Sequence, residues 1–194
     1  MFSEIFPVFC VGCDSFNEFL CRECAQSVRM TSAQSRAGFE FFAGFAYEGV
    51  MANALSKFKD KHQFGYGRVI ARHLRDVFEI DSSLPVLVPP PTKKAFRKRG
   101  FDPSYEIAKQ AGLSVSTKLK RTKQTLDQQN LDFLQRQRNQ DNAFQLLTPG
   151  KYILFDDVVT TGATIREMIR AVKDCGGEVA EVIALCSTST KGAN

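Results

Sequence analysis

Between Lys151 and Gly177 an apolar segment, a pair of acids, a turn of small residues and an amphipathic segment follow one another. Tyr152-Ile153-Leu154-Phe155 reads as a buried strand over 151–156, and Thr164 to Cys175 as a helix closed by Gly176-Gly177. Between them stands Asp156-Asp157-Val158-Val159-Thr160-Thr161-Gly162-Ala163-Thr164. A strand that turns into a helix N-terminus makes an anion site. The first N–H groups of a helix have no partner inside it and lie at the positive end of its dipole. Thr160, Thr161 and Thr164 add hydroxyl donors, and Gly162 lets the backbone approach a ligand closely. Two carboxylates repel a phosphate, so they must face another part of the ligand. A sugar diol or a bound Mg²⁺ suits them, and the element asks for a sugar phosphate rather than a bare phosphate. The plainer alternative is a strand–turn–helix connection with a Thr cap and two exposed acids.

The 194 residues suffice for one domain with a core and a small appendage. No apolar run approaches the ~18 residues needed to cross a bilayer, and Met1 to Cys10 lacks the basic region and cleavage-like site of a signal peptide. The net charge of +5 is clustered. Lys93, Lys94, Arg97, Lys98 and Arg99 form one group, and Lys118, Lys120, Arg121 and Lys123 a second. Such groups attract polyphosphates, nucleic acids or acidic lipid heads, or serve only as a solvated surface.

Four of the six cysteines fall in one short module, Cys10-Val-Gly-Cys13 and Cys21-Arg-Glu-Cys24. Two C-x-x-C pairs at this distance supply four thiolates in a tetrahedron, the geometry of structural Zn²⁺. The module is too short to bury a core, so a metal would provide much of its folding energy. An iron–sulfur site uses the same thiolates; two disulfides fit poorly without a secretion signal. Four Cys ligands leave no open coordination position, which argues against catalysis by this metal. Cys175 and Cys186 read as packing residues.

A polar linker, 26–36, is expected after the module. Phe39 to Tyr47 reads as extended, Val50 to Phe58 and Phe64 to Phe78 as helices, and Leu84 to Val88 as a buried strand that stops at Pro89-Pro90-Pro91. Tyr105 to Ala111 reads as a short helix, Val115 to Leu119 as a strand, and 121–142 as a polar stretch with no apolar period. Val179 to Leu185 is a last strand. Strands alternating with helices imply an α/β fold with a mostly parallel sheet, covered on both faces, whose ligands sit at the carboxyl ends of the strands. His62 and His73 have no nucleophile nearby in sequence and read as structural or surface residues.

The Asp156–Thr164 element resembles the 5-phosphoribosyl-1-pyrophosphate (PRPP) signature of type I phosphoribosyltransferases. That resemblance assigns the ribose hydroxyls and Mg²⁺ to Asp156 and Asp157. It assigns the 5′-phosphate to the loop of Val159, Thr160, Thr161, Gly162, Ala163 and Thr164. Purine-salvage members carry Asp where this chain has Thr160, which weakens a purine acceptor. Over Cys10 to about Ser187 the chain is similar to the ComF family of competence proteins. The four cysteines, Tyr47-Glu48-Gly49, Lys57-Phe58, Pro89-Pro90-Pro91 and Arg99-Gly100-Phe101 carry that similarity. So do Arg121, Thr125, Gln128, Leu131, Arg136, Asn139 and Ala143-Phe144. The chain departs from the family at Asp102-Pro103, where Asn-Gln is usual. The resemblance implies a type I phosphoribosyltransferase-like domain at 37–190 behind a zinc module at 1–30. It implies a pyrophosphate loop of Thr92 and Lys93 backed by Lys94, Arg97 and Arg99, and a long loop closing over the ligand with Arg121, Gln128 and Arg136. It further implies handling of incoming single-stranded DNA in the cytoplasm, with Phe101 or Tyr105 stacking on bases. DNA-uptake proteins are the expected partners, and basic contact with the inner membrane is the further expectation. Two readings compete: a metabolic transferase acting on a small nitrogen nucleophile, and a non-catalytic PRPP sensor.

Overall fold

The computed structural model describes residues 8–122 and 142–189. Eight strands and six helices are found among them. The main sheet comprises β1 (Ala33–Arg36), β2 (Phe39–Ala46), β3 (Val86–Leu87), β4 (Val115–Ser116), β7 (Lys151–Val159) and β8 (Glu178–Ser187), in the order β1-β2-β8-β7-β3-β4. Every pairing is parallel except β1 with β2. A two-stranded antiparallel ribbon, β5 (Leu119–Arg121) with β6 (Phe144–Leu146), packs beside it. This is the mostly parallel α/β sheet that the alternation of elements predicts.

The apolar runs are central because helices cover them on both sides. On one face α2 (Gly49–Lys61), α3 (Phe64–Val77) and α5 (Pro103–Gln110) bury Leu55, Phe58, Ile70, Leu74 and Ile107 against Ile153 and Phe155 of β7. On the other, α6 (Ala163–Asp174) and the β5–β6 ribbon bury Ile165, Met168, Leu119 and Phe144 against Leu154. Within that second layer, Glu167 accepts the Phe144 N–H at 3.3 Å and pairs with Arg170 at 2.7 Å.

The structure departs from the sequence reading in three places. The stretch expected to be a polar linker ends in β1, which forms a hairpin with β2 through Ala37 and Gly38, both at positive φ (54° and 82°). A two-residue turn of this kind matches the twist of paired strands, which lets a polar strand form at the sheet edge. The segment after Pro91 is a helix, α4 (Lys93–Arg99), because Thr92 Oγ1 accepts the Ala95 N–H at 3.0 Å and Gly100 closes the helix at φ 74°. The single strand expected at 115–119 is divided between β4 and β5.

The cysteine module, with α1 (Arg22–Gln26), docks on the α2–α3 corner. Phe19 packs edge-on against Tyr66 at 5.1 Å, and the Tyr66 hydroxyl donates to the Phe9 carbonyl at 2.7 Å. Only glycine fits beneath this contact: a Cβ on Gly65 would lie 1.9 Å from the Phe19 ring.

Candidate functional site

At the carboxyl ends of the parallel strands, β7 runs on through the acid pair to Val159. Side chains alternate along a strand, so Asp156 and Asp157 leave it toward opposite faces. Asp157 reaches the α2–α5 side. There Lys59 Nζ lies 2.7 Å from one carboxylate oxygen, and the Ser104 hydroxyl donates to the other at 2.9 Å. Asp156 is buried on the side of the ribbon, and its carboxylate accepts the Asp157 N–H at 2.9 Å. Burial, and next the Asp157 charge, hold the Asp156 carboxyl well above the usual carboxylate range despite Lys59. The site therefore lacks positive charge on this side. A hydroxyl pair or a hard cation, both of which carboxylate oxygens accept, would relieve it, so the residues fit Mg²⁺.

Arg121, on β5, answers part of that need. It donates from Nε to the Pro90 carbonyl at 2.8 Å and lies over the Phe144 ring at 4.6 Å. Burial brings its pKa down to about 10, against the pull of Asp156 and Asp102. The ribbon thus carries Arg121 to the strand ends beside the loop after β3. Gln128 and Arg136, expected on the same closing loop, lie outside the described residues, as does Lys123.

The turn after β7 is held from beneath by Arg36. Its guanidinium donates to the carbonyls of Val159 (3.1 Å) and Thr188 (2.9 Å), and also to the Thr160 carbonyl. In a trans peptide the N–H points opposite to the C=O. Tying the Val159 and Thr160 carbonyls to Arg36 therefore aims the N–H groups of Thr160 and Thr161 away from it. Gly162 caps α6 at φ 79°, and a Cβ there would meet Phe39 at 3.1 Å and Ala37 at 3.2 Å. Thr161 Oγ1 accepts the Ala163 N–H at 3.3 Å, and Thr164 stands in the first turn of α6. The hairpin β1–β2 thus braces the turn, a role that a polar stretch in the sequence does not reveal.

The basic segment after β3 is displayed on α4. Lys93, Lys94, Arg97 and Lys98 are exposed, whereas Arg99 turns back to Asp60 at 3.5 Å. Thr92 is the helix cap, so its hydroxyl is spent on Ala95. Asp102 caps α5 through the Tyr105 N–H at 3.2 Å. Burial, then the charges of Asp157 and Glu106, push Asp102 up to about 6 in spite of the Tyr105 and Ser104 N–H groups.

A carboxyl whose folded pKa is raised favours folding below its unfolded pKa of ~3.9 and loses that advantage as pH rises through about 6. Asp102→Asn keeps a capping oxygen and removes the charge. It is expected to raise the melting temperature at pH 8 by a few degrees, roughly 1–2 kcal/mol, and to leave it near wild type at pH 4. A difference independent of pH would show that Asp102 does not carry this titration.

In the cysteine module the four sulfurs lie within 4.8 Å of one another, and Cys13 Sγ is 3.7 Å from Cys21 Sγ. Four sulfurs at ~2.3 Å from a shared tetrahedral metal would stand ~3.8 Å apart. Main-chain N–H groups already point at sulfur: Cys21 at 3.3 Å and Gly12 at 3.5 Å to Cys10. Burial opposes ionisation of Cys10, but these donors and the Cys13 N–H outweigh it and bring the thiol down to about 6. Cys24, sharing a hydrogen bond with Cys21, is pushed up; four thiolates cannot ionise side by side without a cation. The module fits a metal ion. Elsewhere, Phe101 packs between Phe58 and Phe64 at 5.1 Å each, and Lys109 stands over the Tyr105 ring; both rings are half-buried.

Residues 65–194 match the family model described as the phosphoribosyl transferase domain. Competence protein F of Haemophilus influenzae is 26% identical over 198 residues, covering 93% of this chain and 84% of that protein. The DNA utilization protein YhgH of Escherichia coli K12 is 39% identical over 71 residues, 35% of this chain and 31% of that protein. The similarity to competence proteins read from the motifs is thereby borne out. Among solved structures, adenine phosphoribosyltransferase from Rhodothermus marinus aligns at 17% identity and a TM-score of 0.39, over 84% of this chain and 83% of that one. No helix among the described residues is long and apolar enough to cross a membrane.

Proposed function

The chain belongs to the phosphoribosyl transferase domain family, and from that premise we propose that it binds PRPP with Mg²⁺ at the β7–α6 turn and serves in the handling of incoming single-stranded DNA. One observation carries the PRPP reading. β7 brings Asp156 and Asp157 to the strand ends immediately before a turn whose carbonyls Arg36 ties back, leaving the Thr160 and Thr161 N–H groups directed away from it. In this reading the acids take the ribose hydroxyls and the magnesium ion. Val159 to Thr164 take the 5′-phosphate through N–H and hydroxyl donors. The start of α4, with Thr92, Lys93, Lys94 and Arg97, faces the pyrophosphate, and Arg121 stands across from it. Arg99 works from behind, through Asp60. Asp156 and Asp157 would hold the magnesium ion, whose charge would offset that of the pyrophosphate.

The DNA reading rests on the names of the two relatives and on the exposed cations of α4. The metal of the cysteine module is proposed to be zinc, with residues 1–30 forming the module and 37–190 the transferase-like domain. We place the protein in the cytoplasm, where reducing conditions keep the four thiols available to metal. Partner proteins of DNA uptake would meet it there, and the cations of α4 would allow peripheral contact with the inner membrane.

Calorimetric titration of PRPP into the metal-loaded protein, with and without Mg²⁺, tests the reading. Saturable binding that needs Mg²⁺ is expected. A folded protein that takes up no heat from PRPP at millimolar concentration would overturn it. Pyrophosphate release on adding a small nitrogen nucleophile would convert the reading to a metabolic transferase.

A further inference from the structure

Phe9, Phe16, Phe64 and Phe96 keep 42%, 64%, 52% and 49% of their surface exposed, although they belong to three separate elements. They lie along one route. Phe9 and Phe16 stack edge-on at 5.7 Å in the cysteine module. Phe9 borders a groove of about 880 Å³ whose other walls include Lys57, His62, Phe64 and Tyr66. At its far end His62 Nε2 meets the Arg99 carbonyl at 3.0 Å, and Phe64 packs on Phe101. These contacts join the groove to α4, where Phe96 stands among Lys93, Lys94, Arg97 and Lys98. Cations accompany the rings at the groove and on α4. Lys57 lies over Tyr66 at 5.3 Å, and Lys61 is exposed at the end of α2. Asp14 is at the lip but is paired with Lys57, and Asp60 is paired with Arg99.

We propose that this route, from the cysteine module through the groove to α4, is a binding track for single-stranded nucleic acid that leads to the strand ends. The proposal deepens the DNA-handling reading and rests on it. Exposed rings interleaved with cations are what unpaired bases and their backbone require: each ring offers a stacking surface and each cation a phosphate partner. Base pairing hides base faces, so a duplex gains only from the cations. An anionic membrane would be served by a convex face with its apolar residues in a single stripe. Here the rings border a concave groove. The metal module would form one wall of the track, which gives a closed, non-catalytic metal site a use.

The test is fluorescence anisotropy with labelled oligothymidylate of about 20 nucleotides, on the metal-loaded full chain over a range of salt. Phe64→Ala, Phe9→Ala and Lys61→Gln are compared with wild type, with PRPP titration and circular dichroism of each variant as controls. Wild type is expected to bind, with log affinity falling linearly in log salt. Phe64→Ala and Phe9→Ala should each weaken binding about tenfold or more, and Phe64→Trp should retain it. Lys61→Gln should lower the salt slope. PRPP binding should not change in any of them. Wild-type binding that all three substitutions leave intact would overturn the track while sparing the DNA-handling reading. A wild type that takes up PRPP and not the oligonucleotide would overturn both. Sedimentation with phosphatidylserine vesicles in place of oligonucleotide binding would assign the surface to a membrane and overturn the track.

Discussion

Chelation of the metal from the cysteine module is expected to unfold residues 8–27 while the sheet remains standing. α1 has no buried residue, and among the described residues of the module only Cys10, Val11 and Cys21 are buried. So little apolar surface cannot offset the entropy of ordering about twenty residues at about 1–2 kcal/mol each for the backbone alone. A structural zinc can, since its apparent binding energy in small modules is ~10–16 kcal/mol. The main core does not share this dependence, because Leu55, Ile70, Phe155 and Leu185 are buried among themselves. Hydrogen exchange reads both regions at once. The Val11 and Asp14 N–H groups, now bonded to Phe19 and Cys10, should lose protection on chelation or in Cys10→Ser, whereas the β7–β8 pairing should keep it. Elemental analysis of the same sample should return about one zinc per chain. Unchanged protection at Val11 after complete metal removal would show that packing on Phe19 and Tyr66 suffices to fold the module.

The clustering of the four cysteines was legible in their spacing, as was the strand–acid–turn–helix order, because both are local patterns with a local physical cause. What stayed hidden is long-range. Arg36 reads as the end of a polar stretch, yet it is the brace under the Val159–Thr160 turn, 123 residues away. Nothing in its neighbours announces this, since the hairpin that delivers it depends on pairing with β2 and the turn itself. Lys59 is similar. The apolar period of α2 fades at Phe58, and only the extra turn to Lys61 carries Lys59 to Asp157. The Pro89–Pro91 stop was legible, but the helix beyond it was not: with no buried residue, α4 has no apolar face to produce a period. Its signals were Thr92 as cap and Gly100 as stop, which are weaker clues than periodicity. The aromatic neighbours were also hidden: Phe101 stands beside Arg99-Gly100 in sequence, but folding packs it against Phe64, which itself stays 52% exposed.

Asp156→Asn and Asp157→Asn are each expected to weaken PRPP binding roughly tenfold or more, yet to change stability in opposite directions. Each lost charge-assisted bond to a ligand hydroxyl or to Mg²⁺ costs roughly 1.5–3 kcal/mol. The pair together should therefore weaken PRPP by about a hundredfold or more. Stability separates the two acids because their surroundings differ. Asp156 is buried, has its carboxyl raised by burial and by Asp157, and accepts the Asp157 N–H. Neutralising it removes a repulsion the fold otherwise has to bear, so the unliganded protein should melt higher at pH 8 and converge with wild type as pH falls. Asp157 has Lys59 at 2.7 Å and Ser104 at 2.9 Å, and the Lys59 and Asp157 side chains keep only 16% and 13% of their surface exposed. Neutralising Asp157 strands the Lys59 ammonium in a poorly solvated place. Breaking a fully buried pair costs about 3–5 kcal/mol, and this partly wet pair somewhat less. Lys59→Met placed in Asp157→Asn should recover much of the loss, because the stranded charge goes with it, while PRPP binding stays weakened. Differential scanning calorimetry of the four proteins, run beside the PRPP titration, decides the matter. Equal destabilisation by both acid substitutions with PRPP binding intact would make the pair part of the scaffold and remove it from the site.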